Sequence, residues 1–217
     1  VPSGYEDGTL GSLKPTDGSG DFTFTRCDGA AGCDLAATRV NADGYIEKGY
    51  ENLLLQSNTF NTTWANARSS ETSGQTGYYG SSDAWLFTDN AEFGTHLLYQ
   101  NVSHSGVITY SVYAKANTIN WMELRSYAGG DTISAYFDLA NGVLGSPTYL
   151  KAIDAKIEAV GNDGWYKCSV TGNTNGTNTY VRIALADSDN GIEYSGTGSG
   201  SIYIQDAMLN QGLVAYP

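Results

Sequence analysis

Two segments joined by one turn decide the fold: Asn120-Trp121-Met122-Glu123-Leu124-Arg125-Ser126-Tyr127, then Ala128-Gly129-Gly130-Asp131, then Ile133-Ser134-Ala135-Tyr136-Phe137-Asp138-Leu139. In the first, Met122, Leu124 and Ser126 alternate with Trp121, Glu123, Arg125 and Tyr127. In the second, Ile133, Ala135, Phe137 and Leu139 alternate with Ser134, Tyr136 and Asp138. Period two is the period of an extended chain, whose successive side chains leave opposite faces, and a Gly-Gly turn between two such runs reads as a hairpin. The pattern recurs near Asn52–Gln56, Ala84–Thr88, His96–Val102, Val107–Ala114, Lys156–Val160, Trp165–Thr171, Tyr180–Asp187 and Ser201–Leu209. Asn141-Gly142, Asn162-Asp163-Gly164 and the Gly-rich run 196–200 punctuate it. Helical periodicity is almost absent. The expected fold is all-β: an antiparallel β-sandwich of jelly-roll type over residues 51–217.

Residues 1–50 read differently. Short β pieces (Asp21–Arg26, Ala37–Asn41, Tyr45–Glu47) lie between Gly-rich turns. Leu10, Leu13, Phe22 and Phe24 are too few large apolar residues for a separate core. An N-terminal β arm is expected, packed on the sandwich or on a neighbouring copy. The chain opens at Val1 without Met and stops soon after a strand-like run, so it reads as a piece of a longer polypeptide or a processed product.

The 217 residues carry 23 acidic and 11 basic side chains, a net charge of −12, with a pI near 4.3. Such a surface repels nucleic-acid phosphates and anionic membranes. No apolar run, Leu53 to Leu55 included, approaches the length of a membrane span. Neither nucleic acid nor membrane insertion is expected. Cys27 and Cys33 flank a short Gly-containing loop. A disulfide there would contribute only about 2 kcal/mol in the chain-entropy picture, and two unpaired thiols are an equal alternative. Cys168 alternates with Tyr166 and Val170 and reads as a core thiol.

Strand alternation sorts a candidate site. If the strands share a sheet, one face carries Trp121, Tyr127, Tyr136 and Tyr113 among Glu123, Arg125, Asp138 and Arg182. Aromatic rings stack on the apolar C–H faces of a sugar, while guanidinium and carboxylate groups bond its hydroxyls. Trp121, Glu123, Arg125, Tyr127, Tyr136 and Arg182 are therefore the candidate carbohydrate-binding residues. Cover by the arm or by another subunit would account for the same aromatics. Asp206 falls in phase with the apolar Ile202 and Ile204, and an inward carboxylate needs a partner such as calcium. Asp187-Ser188-Asp189-Asn190-Gly191-Ile192-Glu193 is too short for an EF-hand and reads as a turn.

Three stretches, in order, carry a family resemblance. The first is Asp21-Phe22-Thr23-Phe24-Thr25-Arg26 with Ala37-Thr38-Arg39-Val40-Asn41-Ala42-Asp43-Gly44-Tyr45-Ile46-Glu47. The second is Glu51-Asn52-Leu53-Leu54-Leu55-Gln56-Ser57-Asn58-Thr59-Phe60, closed by Trp64. The third runs from Val160-Gly161-Asn162-Asp163-Gly164-Trp165-Tyr166-Lys167-Cys168-Ser169-Val170 to Ser201-Ile202-Tyr203-Ile204-Gln205-Asp206-Ala207. Together they resemble the carbohydrate-binding-like jelly-roll domains of bacteriophage virion proteins, as in tail fibres and capsid appendages, and the second and third also resemble non-catalytic carbohydrate-binding modules. The resemblance implies a virion protein made in the bacterial host cytoplasm. It would assemble with copies of itself, as a trimer in a fibre, and with other virion proteins, and would meet a host surface polysaccharide. In the related modules a metal sits between the last strand and the first, which would make Asp206 and Asn58 ligands of a structural calcium ion. Position 61, acidic in that family, is Asn61 here.

The catalytic alternative is a polysaccharide lyase or hydrolase. Trp121-Met122-Glu123-Leu124-Arg125 resembles the Arg-x-Glu-Leu-Arg strand of jelly-roll alginate lyases, with Trp121 in place of the first Arg. The His- and Tyr-bearing strands that supply base and acid in that family have no counterpart. His96 and His104 read as ordinary surface or edge residues, and no nucleophile elbow is present. The expected function is non-catalytic: lectin-like binding to a host surface.

Overall fold

A computed structural model describes residues 5–6, 9–10, 38–40, 46–48, 52–129, 131–145, 152–176, 179–213 and 215. Asp21–Arg26, Leu13, Cys27 and Cys33 lie outside the described residues. The chain divides into two units, Val1–Gly49 and Tyr50–Pro217. In the first, the described backbone forms two small hairpins, β1 (Tyr5–Glu6) with β2 (Thr9–Leu10) and β3 (Thr38–Val40) with β4 (Ile46–Lys48).

The second unit is an antiparallel β-sandwich of jelly-roll type, with no helix among the described residues. One six-stranded sheet has the order β14 (Ala152–Val160), β15 (Trp165–Thr174), β10 (Gly106–Ala116), β18 (Ser201–Gln211), β7 (Ala84–Asp89), β6 (Ser69–Gln75). The other has the order β13 (Val143–Leu144), β12 (Asp131–Asp138), β11 (Trp121–Ala128), β16 (Tyr180–Ala186), β9 (Leu97–Asn101), β5 (Ala65–Ala67). We call them the Tyr113 sheet and the Trp121 sheet. A short pair, β8 (Phe93–Thr95) with β17 (Glu193–Ser195), stands apart.

The inner faces meet in one apolar core. Tyr110, Val112, Phe87, Ile202 and Ile204 from the first sheet, and Met122, Leu124, Ile133, Phe137, Ile183 and Leu185 from the second, are all fully buried. Removing that surface from water is the main force holding the layers together. Cys168 is a free thiol in the same core, and burial raises its pKa. At one margin Phe60 meets the edges of Trp64 and Trp85, with ring centroids 5.2 and 6.1 Å away.

Three local differences from the sequence reading have physical causes. Asn52–Gln56 is not a strand, because side-chain amides replace a ladder. Asn52 Oδ1 accepts from the Leu54 and Leu209 amides, and Gln100 both donates to Leu55 O and accepts from Leu55 N. Next, β6 (Ser-Ser-Glu-Thr-Ser-Gly-Gln) has no apolar alternation to read. It is an edge strand with mostly exposed residues, a composition that blunts pairing with other chains. The third lies in β18. Opposite Ser111–Tyr113 of β10, β18 runs from Met208 to Gln205, one residue too many. Asp206, with φ +49°, takes up the extra residue as a bulge. Ile202 and Ile204 point inward and so do Ala207 and Leu209, while Asp206 is displaced from their row and half-buried.

Candidate functional site

The outer face of the Trp121 sheet is built by register. Trp121 lies opposite Asp138 and Ala186, Glu123 opposite Tyr136 and Ala184, Arg125 opposite Ser134 and Arg182, and Tyr127 opposite Thr132 and Tyr180. Residues directly opposite in an antiparallel pair share a face. All six candidate carbohydrate-binding residues therefore project from one surface.

At its centre is a buried ion triple. Glu123 Oε1 accepts from Arg125 Nε at 3.0 Å and Nη2 at 2.6 Å. Its Oε2 accepts from Arg182 Nε at 2.9 Å and Nη2 at 2.7 Å. The two arginines are cross-strand neighbours whose like charges would repel, and the carboxylate between them makes the pairing favourable. Glu123 is wholly buried, Arg182 nearly so, and the Arg125 side chain retains 24% of its exposure. Both oxygens of Glu123 are thus engaged, so its effect on any ligand passes through Arg125. Tyr136 packs beside the triple at 3% exposure. Burial first, and the Glu123 charge second, push its phenol up to about 12.

Aromatic groups stand at both ends. Trp121 is half-buried. Around its ring the chain passes close at Gly145, whose N–H donates to Tyr136 O at 2.8 Å. A Cβ added there would lie 2.8 Å from the Trp121 ring, 2.9 Å from Tyr136 Cβ and 2.5 Å from Asp189 Oδ1, so only glycine fits. About 20 Å along β11 (3.4 Å per residue), Tyr127 stacks on Tyr180 with centroids 5.1 Å apart and planes 20° apart, and Tyr99 of β9 meets Tyr180 edge-on at 6.4 Å. All three tyrosines are half-buried. Tyr180 and Tyr99 extend the candidate set. Tyr180 was visible two residues before Arg182, but Tyr99 required the pairing of β9 with β16.

This face is less open than its alternation suggests: Glu123, Tyr136, Asp138 and Arg182 are all buried. Side chains of β11, β12, β16 and β9 share it, and the chain at Gly145 and Asp189 closes on one end. Asp138 is also occupied, accepting from the Ala140 and Asn141 amides and from Asn141 Nδ2 at 2.7 Å. Tyr113 does not belong to this face: β10 lies in the other sheet. The histidines are not surface residues either. His96 is fully buried and bonded through Nδ1 to Arg68 O, and His104 is 5% exposed, bonded to Val102 O and Ser126 Oγ. Backbone carbonyls and a hydroxyl satisfy the ring nitrogens, which makes burial tolerable.

Asp206 and Asn58, the expected calcium ligands, do come together. Asn58 Oδ1 accepts from the Asp206 amide at 3.1 Å, and Asn58 Nδ2 donates to Asp83 O. Asp206 Oδ2 accepts from Tyr78 OH at 2.9 Å and Gln205 Nε2 at 3.3 Å. Burial raises the Asp206 pKa, and its bond from Tyr78 partly opposes this. Calcium takes six to eight oxygens. Here Asn58 Oδ1 and Asp206 Oδ2 face protein donors, and among the described residues no three acidic, His or Cys side chains converge. The donor set fits a hydrogen-bonded clamp rather than a calcium cage. Residues 187–192 form a turn that leads into β17, with Asp187 N donating to Gly191 O. A recess of about 420 Å³ lies between Asp89, Ile119, Asp187 and Tyr194. Its buried carboxylate, Asp89, is already occupied by the Gly200 and Thr197 amides and Tyr194 OH.

No protein-family model matches the chain, and no curated protein matches it in sequence. Among solved structures, the chain is similar to the N-terminal endo-1,4-beta-D-xylanase 10B of Clostridium thermocellum, comprising CBM22-1 and GH10 modules complexed with xylohexaose. Identity is 14% and the TM-score 0.46, over 77% of this chain and 29% of that one. It is also similar to the enzymatically active domain of tailspike protein 4 of bacteriophage CBA120, at 10% identity and TM-score 0.44, over 73% of this chain and 21% of that one. The chain spans less than a third of either relative. Similarity of that order says nothing about ligand or activity.

Proposed function

We propose that the sandwich is a non-catalytic glycan-binding domain whose Trp121-sheet face takes an oligosaccharide of a host surface polysaccharide. One observation carries this reading: aromatic groups stand at both ends of a single face, about 20 Å apart by strand rise, with a rigid Arg–Glu–Arg centre between them. Trp121 and the Tyr127–Tyr180–Tyr99 row supply stacking surface. Arg125, fixed by Glu123 and partly exposed, supplies donors to ring hydroxyls. Favouring binding over cleavage, both carboxylates set in the strands of this face are consumed. Glu123 is held by two guanidinium groups and Asp138 by three amide donors. Glycoside hydrolysis needs one carboxyl free to donate a proton and another free to attack or to activate water. Resemblance of the three quoted stretches to phage virion domains adds the setting: a tail-fibre or capsid-appendage domain, trimeric in a fibre and in contact with other virion proteins.

The test is a panel of purified bacterial surface polysaccharides. Wild-type protein should bind at least one. Trp121→Ala and Tyr127→Ala should each weaken binding by about 1–3 kcal/mol, taking base–aromatic stacking as the measured analogue. New reducing ends or unsaturated uronates in the same incubation would replace the reading with a depolymerase.

A further inference from the structure

The outer face of the Tyr113 sheet carries an aromatic group of its own. Tyr79 is 82% exposed, the most exposed of the large hydrophobic side chains described. It sits in a tight turn where Gly77 N donates to Ser81 O at 2.7 Å and Gly80 N to Gly77 O at 2.9 Å. Its ring leans on Tyr78, centroids 4.3 Å apart, and Tyr78 in turn lies flat on Tyr113 at 4.2 Å and 9°. Lys167 Nζ stands 5.7 Å from the Tyr113 ring centre.

An exposed aromatic on a turn is ordinarily loose, and this one leans on an anchored neighbour, Tyr78. Tyr78 N donates to Gln205 Oε1, and Tyr78 OH donates to Asp206 Oδ2 at 2.9 Å. Gln205, 2% exposed, also donates to Asp83 Oδ1 at 3.0 Å. Gly77 is seated so tightly that a Cβ there would strike Gln205 Oε1 and come within 2.8 Å of Asp83 Oδ1. A platform whose ordering is complete before a ligand arrives binds with little further entropic cost.

We propose that Tyr79, backed by the Tyr78–Tyr113 stack, is a second sugar-stacking site, on the sheet opposite the first, for a neutral saccharide. The class of ligand rests on the reading above; the rigidity of the ledge does not. Charge selects the ligand: in a protein of net charge −12, the carboxylates of Asp206, bonded to Tyr78, and Asp83, bonded to Gln205, outnumber the Lys167 ammonium by Tyr113 and disfavour an anionic one. Size selects against a protein partner. A stable protein interface needs about 800 Å² per side, whereas this ledge is one open ring flanked by hydrogen-bonding groups, the footprint of a pyranose. Two stacking sites on opposite sheets let one domain bridge two glycan chains, or two segments of one, with the avidity that follows.

The experiment titrates the full chain with maltohexaose, cellohexaose, chitohexaose and xylohexaose by calorimetry and ligand-observed NMR. At least one should show two sites. Tyr79→Ala should remove one site or weaken it about tenfold or more, while Tyr79→Phe keeps it within about threefold, because stacking needs the ring and not the hydroxyl. The melting temperature should not move, since an exposed ring contributes little to the core. A single site lost with Trp121→Ala and untouched by Tyr79→Ala overturns this proposal and leaves the first reading standing. One site lost with Tyr79→Ala alone places sugar only on the ledge and overturns the first reading instead. No binding of any of the four, or a Tyr79→Ala change confined to oligomeric state in light scattering, overturns the proposal.

Discussion

The outer faces of the two sheets solve the same difficulty in opposite ways. Each must hold aromatic rings in fixed positions at a polar surface. On the Trp121 sheet the solution lies within the strands: Glu123 ties Arg125 and Arg182 together, and the rings stand at the ends of that charged centre. On the Tyr113 sheet the strands contribute only Tyr113, from β10, and the clamp residues Gln205 and Asp206, from β18. The rings that matter ride on a separate turn, anchored by Gln205 and Asp206. A charge network embedded in a sheet couples the site to the stability of the fold, whereas a turn fastened from behind can be released without opening the core.

The sharpest way to break this contrast is Glu123→Ala. It leaves two guanidinium groups facing each other without their carboxylate, one of them nearly buried, and should cost about 3–5 kcal/mol in urea unfolding. A loss under about 1 kcal/mol would mean that the triple is no more than a surface pair. Gln205→Ala should cost less, about 1–3 kcal/mol, because it strands neutral or solvent-reachable partners. Its larger effect should be freedom of the 77–81 turn, read as loss of ordered Tyr78 and Tyr79 ring signals in NMR. Asp206→Asn should be nearly silent in stability, since an amide oxygen can accept from Tyr78 OH and Asn tolerates φ +49°. With that variant and with wild type, melting should be the same in EDTA and in calcium. A calcium-dependent rise in wild type alone would restore the metal reading of Asp206 and Asn58.

A separate effect, expected only near the Trp121 sheet, is a pH dependence at His104. Burial lowers its pKa below the ordinary 6.5, with the Val102 carbonyl opposing. The folded state thus favours the neutral ring. Its contribution is complete above the unfolded value and is lost as pH falls below it, at no more than about 1.4 kcal/mol per pH unit. His104→Gln should flatten the urea-midpoint profile between about pH 6.5 and pH 5; an unchanged profile would remove His104 as the source.

What alternation could show was which residues share a strand face. It grouped Trp121, Glu123, Arg125 and Tyr127, and across the hairpin Ser134, Tyr136 and Asp138, as the register does. It could not show what lies over a face. The closure at Gly145 and the central role of Glu123 come from residues distant along the chain, and so does the burial of Tyr136. Sheet membership was also hidden, which is why Tyr113 was assigned to the wrong layer. β6 escaped because an edge strand of Ser, Thr, Glu and Gln has no apolar phase, and 52–56 misled because Asn52 and Gln100 side chains imitate strand pairing. The ledge was legible only as two adjacent tyrosines in a glycine-flanked turn, with nothing to say that Tyr113 lay beneath them.

The bulge in β18 separates fold from site within a single position. Because Asp206 is the extra residue, Ile204 and Ala207 already face the core on either side of it, as neighbours in a regular strand would if it were excised. A one-codon deletion of Asp206 would leave the strand in phase and the core sequence uninterrupted, while erasing the acceptor for Tyr78 OH and the amide that meets Asn58. Insertion and deletion at this one codon would thus be a route by which such a sandwich gains or sheds its outer ledge with its interior unaltered.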